Sequence, residues 1–284
     1  MPELLYSRYL YAQLSRDAKD CAEVKLNYLD SFNDANLRLT IALSNLSVIQ
    51  AEVETNRNPK PDEHTPNTVM LPALTGFIMD FNTSGRDIAR MAAEIDHPLA
   101  ADFLFETVKT VLQCEGYFHQ ERGFPTLKDY DRFYDELLAG SCPFYSLVEK
   151  NYSWANDPMA AKRGGNLFTR YRHCSISRLN DHELSVRSML MDTFHEIAVV
   201  LKVHSSTYQV LEVAGSIRRS PDPTVCRSSL RYLENLQHTN LTPENKKPIN
   251  VRLTGTGNCV HLKDLVSDVL RGLEQIQAGY LKNF

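Results

Sequence analysis

Two segments near the C-terminal end of the chain contain residue types that can bind a cofactor. The first is Leu201–Tyr208 (LKVHSSTY), in which His204 falls on the apolar stripe of a predicted helix. A neutral imidazole that faces a helical core can serve as an axial metal ligand. The second is Thr254–Asn258 (TGTGN), whose glycines leave backbone N–H groups and a threonine hydroxyl accessible. Together the two segments predict a bound planar cofactor with a small polar substrate beside it.

The order of these segments resembles the tryptophan/indoleamine 2,3-dioxygenase superfamily, which includes the haem-dependent L-tyrosine hydroxylases. In the dioxygenases the axial histidine begins a His-x-Thr-Thr-like segment, and a Gly-Thr-Gly-Gly-Thr loop precedes a leucine-rich helix. The counterparts here are His204 with Ser205–Thr207, and Gly255–Gly257 followed by Leu262–Leu270. The resemblance covers roughly the last ninety residues of the chain.

The resemblance implies a haem b cofactor, with His204 as the axial iron ligand and with Thr256 and Gly257 against the cofactor. It also implies an oxygenase that uses O₂ or peroxide on an aromatic amino acid or a related small aromatic, in a dimer or tetramer. The loop continues with Asn258 and Cys259 where the dioxygenases have Gly-Thr. This departure and the chain length favour ring hydroxylation of a tyrosine-like substrate, with indole-ring cleavage as the alternative within the superfamily.

The carboxylate of such a substrate needs a cationic partner, and an arginine fork matches its geometry best. Arg170 and Arg172 are the candidates, in a segment, Leu167–Arg172 (LFTRYR), that is similar to the Phe-x-Ser-Tyr-x-Tyr-Arg helix of the dioxygenases. Phe168 would then pack against the aromatic ring or the haem. Thr256 is a further candidate for contact with the substrate. A basic helix face in contact with solvent is the competing interpretation of this segment.

A distal acid or base is also required, because an imidazole near neutral pKa can deprotonate a phenol or direct peroxide cleavage. His97 is the first candidate for this catalytic role and His119 the second. His97 also follows Glu94 at a Glu-x-x-His spacing, and Asp192 and His195 have the same spacing. On helices such pairs would place ligands one turn apart, as in di-iron bundle oxidases, which is an alternative function.

A non-enzymatic nucleic-acid-binding or assembly protein is the other alternative. Aromatic residues interrupt a basic stretch that could follow a phosphate backbone; it comprises Lys162, Arg163, Phe168, Arg170, Tyr171, Arg172 and Arg178. Residues 160–284 carry 17 Lys and Arg against 11 Asp and Glu, whereas residues 1–159 carry 14 against 24. The whole chain has a net charge of −4 and a pI near 6.1, so nucleic acid is the less favoured partner.

The elements that would position these residues are predicted to be helical. Apolar residues at mixed three- and four-residue spacings predict an all-α, single-domain bundle over residues 1–284, enclosing a haem pocket. The predicted helices cover about 3–55, 69–95, 126–139, 143–153, 181–213 and 260–280, with a helical turn region around 225–237. Neither sustained strand alternation nor an internal repeat is evident at this level.

Composition is that of a globular protein, with 43% apolar and 23% charged residues. No apolar run reaches the roughly 20 residues that a membrane-spanning helix needs. Six cysteines are scattered without a Cys-x-x-Cys pair, which is typical of a reducing compartment. We therefore expect a cytoplasmic protein without a membrane partner.

Overall fold

The structure, a computed structural model, is dominated by β-strands. It describes residues 2–18, 20–57, 66–147, 149–150, 152–156, 165–245, 249, 253 and 259–278. Within these ranges nine strands form one sheet, and the pairs β2–β3, β3–β4, β4–β5, β7–β8 and β8–β9 are antiparallel. The prediction of an all-α bundle is therefore wrong.

The described elements follow one another in this order. The strands are β1 Glu3–Ala18, β2 Cys21–Asp30, β3 Asp34–Ala42, β4 Val48–Arg57, β5 Asn67–Met70, β6 Asn166–Arg178, β7 Glu183–Asp192, β8 Glu196–His204 and β9 Val210–Arg219. The α-helices are α1 Gly85–Ala93, α2 Ala100–Cys114, α3 Leu127–Leu138, α4 Pro223–Arg227 and α5 Val260–Gln277. Short 3₁₀ segments cover Pro72–Leu74, Glu115–Phe118, Phe144–Ser146, Trp154–Asn156, Ser228–Leu236 and Pro243–Asn245.

The buried side chains explain why the predicted helices over 3–55 and 181–213 are strands. In β2 and β8 every second residue is buried, as one face of a sheet requires. The buried residues are Ala22, Val24, Leu26 and Tyr28 in β2, and Ile197, Val199, Leu201 and Val203 in β8. Leucines three or four residues apart also occur in these segments, and that spacing was the basis of the helical prediction.

Two predicted helices are confirmed. The segment predicted at 126–139 is α3, Leu127–Leu138, and the final helix predicted at 260–280 is α5, Val260–Gln277. Both are amphipathic at helical spacing, and no strand-like alternation competes there. None of the helices in the described ranges combines the length and hydrophobicity that a bilayer-spanning segment needs.

The chain contains an internal duplication that the sequence interpretation missed. The strands β2, β3 and β4 recur as β7, β8 and β9 with every boundary displaced by 162 residues. The strand registers recur with the same displacement, including both irregularities: those at Asp34/Ala35 and Thr40/Ile41 correspond to those at Glu196/Ile197 and Lys202/Val203. We call residues 4–111 the first copy and residues 166–273 the second copy.

Loops and helices repeat in the same register. Leu46 and Tyr208, 162 residues apart, both have positive φ, 59° and 52°. Gly76 and His238 form another such pair, with φ of 84° and 61°, and their N–H groups donate to the carbonyls of Val48 and Val210. The buried positions of α2 from 100 to 111 also match those of α5 from 262 to 273 at every position. Such agreement over strands, turns and helix means that both copies have the same fold.

The described residues pack into two compact units. The C-terminal unit comprises Met1–Tyr9, Tyr134–Tyr152 and Tyr171–Phe284, and in it α5 packs against β7 and β8. The N-terminal unit comprises Leu10–Phe133 and Ser153–Arg170, and in it α2 packs against β2 and α1. In each unit a helix thus covers the apolar face of its strands.

Candidate metal centre

The structure places the predicted axial ligand, His204, at the end of β8. The side chains that face the core from this strand are at the odd positions 197–203, so His204 lies on the opposite face of the sheet. Its Nδ1 lies 3.1 Å from Oγ of Ser206 in the following turn. The helix with a buried histidine, on which the haem hypothesis was based, is absent from this described segment. The loop residues Thr256 and Gly257 lie outside the described residues.

The predicted substrate-binding residues are buried in ion pairs rather than exposed on a basic helix. Arg170 lies 3.4 Å from Glu106, and its guanidinium also contacts the ring of Phe168. Arg172 forms a bidentate pair with Asp268, at 2.6 and 3.0 Å. On β6 the two arginines are buried and alternate with half-buried residues, so both side chains are on the same, inward face of the strand.

The predicted distal base, His97, is part of the N-terminal unit. Its Nε2 lies 3.1 Å from the hydroxyl of Thr55, its Nδ1 accepts from the N–H of Leu99, and its ring stacks on Phe103. Burial lowers its pKa, while Asp96 partly opposes that shift. The second candidate, His119, lies 3.1 Å from the carbonyl of Gly116. Both histidines thus have hydrogen-bond partners within the protein.

Three other side chains meet in the C-terminal unit. Asp192 and His195 come from the turn between β7 and β8, and His261 is the second residue of α5. One potential ligand atom from each residue lies within 4.8 Å of the others. The rings of His195 and His261 are 4.0 Å apart between centroids. Two imidazoles and a carboxylate form a donor set that suits zinc and other first-row transition metals.

The turn itself holds Asp192 in place. Oδ1 of Asp192 accepts from the N–H groups of Phe194 and His195, at 2.8 and 2.7 Å, which makes an Asx turn. The same oxygen lies 3.0 Å from Nδ1 of His195. This contact restricts the orientation of the His195 ring. Asp192 and His195 are 5% and 9% exposed, so a cation there would be partly shielded from water.

Cys259 is placed beside this group. Its Sγ lies 3.6 Å from Nδ1 of His261, at the position that precedes α5. Burial raises the pKa of its thiol to about 12, so the sulfur is protonated when no cation is near. The thiol can therefore act as a partner of His261 or, after deprotonation by a bound metal, as a fourth ligand.

The sequence interpretation had recognised part of this site. The spacing of Asp192 and His195 was identified as a metal-ligand pair, but on a helix. The structure brings the two residues together through a hairpin turn instead. His261 was missed, because nothing in the sequence links the start of the final helix to a turn about seventy residues earlier.

Comparison with known proteins gives a family without an assigned activity. Residues 168–273 match a family described as "Protein of unknown function (DUF2889)". No curated protein matches the chain. The matched segment begins in β6 and ends in α5, so it coincides with the second copy and contains Asp192, His195 and His261.

Proposed function

We propose that this chain binds a divalent transition metal ion, of the zinc type, through Asp192, His195 and His261. The observation that supports the proposal is the convergence of three ligand atoms within 4.8 Å at a largely buried position. Chance clusters of exposed acidic groups do not explain it, because two of the three residues are histidines and Asp192 and His195 are buried.

The geometry requires only a small contraction on metal binding. Ligands at about 2.0–2.1 Å from a tetrahedral ion lie roughly 3.3 Å apart. The Asx turn fixes Asp192, and its contact with His195 fixes the orientation of that ring. His261, at the N-terminal end of α5, would therefore supply most of the movement.

The role of the metal depends on Cys259. Three protein ligands and an open position are typical of a catalytic zinc site, in which the metal activates a bound water. Four protein ligands are typical of a structural site, which stabilises the fold. We propose the four-ligand arrangement, because Cys259 already contacts the histidine that would bind the metal.

The experiment is a titration of the metal-free full chain with Co²⁺, followed by visible absorption. We expect intense d–d bands from four-coordinate Co²⁺ and a thiolate-to-metal band in the near ultraviolet. His261→Ala should abolish both, and Cys259→Ser should abolish only the thiolate band. Asp192→Asn should weaken binding at least tenfold while preserving the Asx turn, since the amide oxygen accepts the same N–H groups.

The first copy supplies the matched control. Asp30 occupies the position equivalent to Asp192 and makes the same Asx turn, accepting from the N–H groups of Phe32 and Asn33. Asp30→Asn should leave Co²⁺ binding unchanged. If wild type gives only weak octahedral bands, or if His261→Ala binds Co²⁺ as wild type does, the proposed metal site is wrong and the three residues form a hydrogen-bonded cluster.

A further inference from the structure

The duplication provides a second position with the same backbone but different side chains. In each copy a strand ends in an aspartate, a turn of Ser/Thr and Phe follows, and a helix comes later whose buried residues lie at equivalent positions. The equivalent residues are Asp30 and Asp192, Asn33 and His195, Leu99 and His261, His97 and Cys259, and Tyr28 and Leu190. Only the aspartate is shared.

The aspartate of the first copy is satisfied by hydrogen bonds from protein. Oδ1 of Asp30 accepts from the N–H groups of Phe32 and Asn33, at 2.7 and 2.6 Å. Oδ2 accepts from the hydroxyl of Tyr28 at 2.8 Å, and the side-chain amide of Asn33 lies within 3.2 Å of both oxygens. An amide and a phenol therefore occupy the directions in which a cation would bind.

The helix of the first copy also packs against the strand that leads into this turn. Tyr28 packs edge-on against Phe103 in α2, with 6.3 Å between ring centroids. The start of α2 therefore lies over the strand that ends at Asp30. Leu99 is the residue that corresponds to His261, and it is buried with 6% exposure. An apolar side chain thus replaces the third ligand.

In the second copy the side chains around the aspartate are different, although Nδ1 of His195 still lies 3.0 Å from Oδ1 of Asp192. Leu190 has no hydroxyl where Tyr28 has one, and His195 and His261 each present an imidazole where the first copy has Asn33 and Leu99. The residues that differ include both positions that supply the histidines of the proposed site, where the first copy has an amide and a leucine. Within the described residues, the first copy contains no comparable group of ligands.

We infer that the two copies have diverged, so that the second copy binds a metal ion and the first copy does not. In the first copy the protein's own side chains occupy the position at which a metal ion would bind, and we call this position the latent site. This inference rests on the proposed function. It assigns one metal ion per chain to the second copy. It also means that the backbone of the first copy retains the geometry of a metal site, in which hydrogen bonds from Tyr28 and Asn33 substitute for the cation.

The test is whether a variant of the full chain binds one more zinc ion than wild type does. The variant Tyr28→Leu/Asn33→His/Leu99→His transfers the residues of the second copy to the first. After loading with Zn²⁺ and removal of excess metal, we expect one zinc per wild-type chain and two per variant chain by elemental analysis. The milder variant Asn33→His/Leu99→His, which avoids the cavity left by Tyr28, should bind the second zinc more weakly.

The reciprocal exchange controls for folding. Leu190→Tyr/His195→Asn/His261→Leu transfers the residues of the first copy to the second, where the backbone is the same. We expect this variant to fold cooperatively, to bind no zinc and to melt at least as high as metal-free wild type. If it unfolds, the two positions are not equivalent and the inference is overturned.

The outcomes separate the two claims. Zinc absent from wild type would overturn the proposed function itself. One zinc in wild type and one in both folded gain variants, or loss of folding in both, would overturn the latent site alone. Two zinc ions per wild-type chain would also overturn it, because the first copy would then bind metal without any change.

Discussion

Arg8 in β1 forms a buried ion pair with Asp268 in α5, which joins the first strand of the first copy to the last helix of the second copy. The equivalent residues, Arg170 and Glu106, make the equivalent pair with the roles of the copies exchanged. Both pairs are almost fully buried. Each copy therefore supplies the arginine that neutralises the carboxylate in the helix of the other.

Asp268 pairs with two arginines, because it also binds Arg172 at 2.6 and 3.0 Å. The residue equivalent to Arg172 in the first copy is Leu10. Asp268→Asn would remove the carboxylate that both buried guanidinium groups bind. We expect it to lower the free energy of unfolding by about 3–5 kcal/mol. Urea-induced unfolding followed by circular dichroism measures the difference.

Glu106→Gln is the control for this prediction. Arg170 keeps its contact with Gln113, and a neutral amide oxygen can still accept at the position of Glu106. We expect a loss of about 1–3 kcal/mol. Equal losses of unfolding free energy in Asp268→Asn and Glu106→Gln would show that the ion pair with Arg172 adds nothing to the cost of removing the Asp268 carboxylate.

Gly116 is required by the close approach of Trp154. A Cβ atom at position 116 would lie 2.3 Å from the indole ring, which packs between Tyr117 and Tyr130. We expect Gly116→Ala to destabilise the chain by about 1–3 kcal/mol through overpacking. Gly85→Ala is the matched control, because its Cβ would meet Phe105 at an ordinary 3.8 Å. A melting temperature unchanged in both variants would contradict the prediction.

Metal removal should lower stability only when the second-copy ligands are present. A ligand that binds only the folded state, at a free concentration 100 times its Kd, adds about 2.7 kcal/mol to the free energy of unfolding. We expect a chelator to lower the melting temperature of wild type and of Asp30→Asn, and to have no effect on His195→Ala or His261→Ala. A chelator effect that persists in His261→Ala would place the stabilising ion elsewhere.

The sequence could predict some elements better than others, for physical reasons. The final helix was predictable because α5 buries Leu262, Leu265, Val266 and Val269 at helical spacing. In β2 the alternation of Ala22, Val24, Leu26 and Tyr28 was present but coexisted with Leu29 and Phe32, which complete three- and four-residue spacings. Which of these residues enter the core is decided by pairing with β3, a contact that local pattern does not contain.

The candidate site was only half predictable for a similar reason. Asp192 and His195 are close in sequence, and their spacing carries a recognisable signal. His261 joins them only through the packing of α5 against β7 and β8. The duplication was a further signal: Arg8, Asp30 and Phe32 recur as Arg170, Asp192 and Phe194, but identities this sparse are hard to see without the strand registers.

His97 gives the fold a dependence on pH that is separate from the metal centre. Burial lowers its pKa in the folded state from the ordinary 6.5, and its contacts with Thr55 and Phe103 hold the neutral ring. As pH falls below 6.5, the unfolded chain takes up this proton before the folded chain does. The stabilisation is therefore complete above 6.5 and is lost as pH falls toward the folded-state pKa.

His97→Gln should remove this dependence, because an amide does not titrate in this range. At pH 7.5 we expect the variant to lose about 0.5–1.5 kcal/mol with its altered hydrogen bonds. At pH 5.0 the difference in unfolding free energy between the variant and wild type should be smaller. At that pH wild type has lost part of its stability, because its unfolded chain takes up a proton on His97 that the buried ring takes up less readily. Urea unfolding at both pH values in the presence of a chelator measures the change, and His182→Gln, at an exposed position, serves as the control. Parallel pH profiles for His97→Gln and wild type would mean that the buried ring of His97 does not contribute to acid sensitivity.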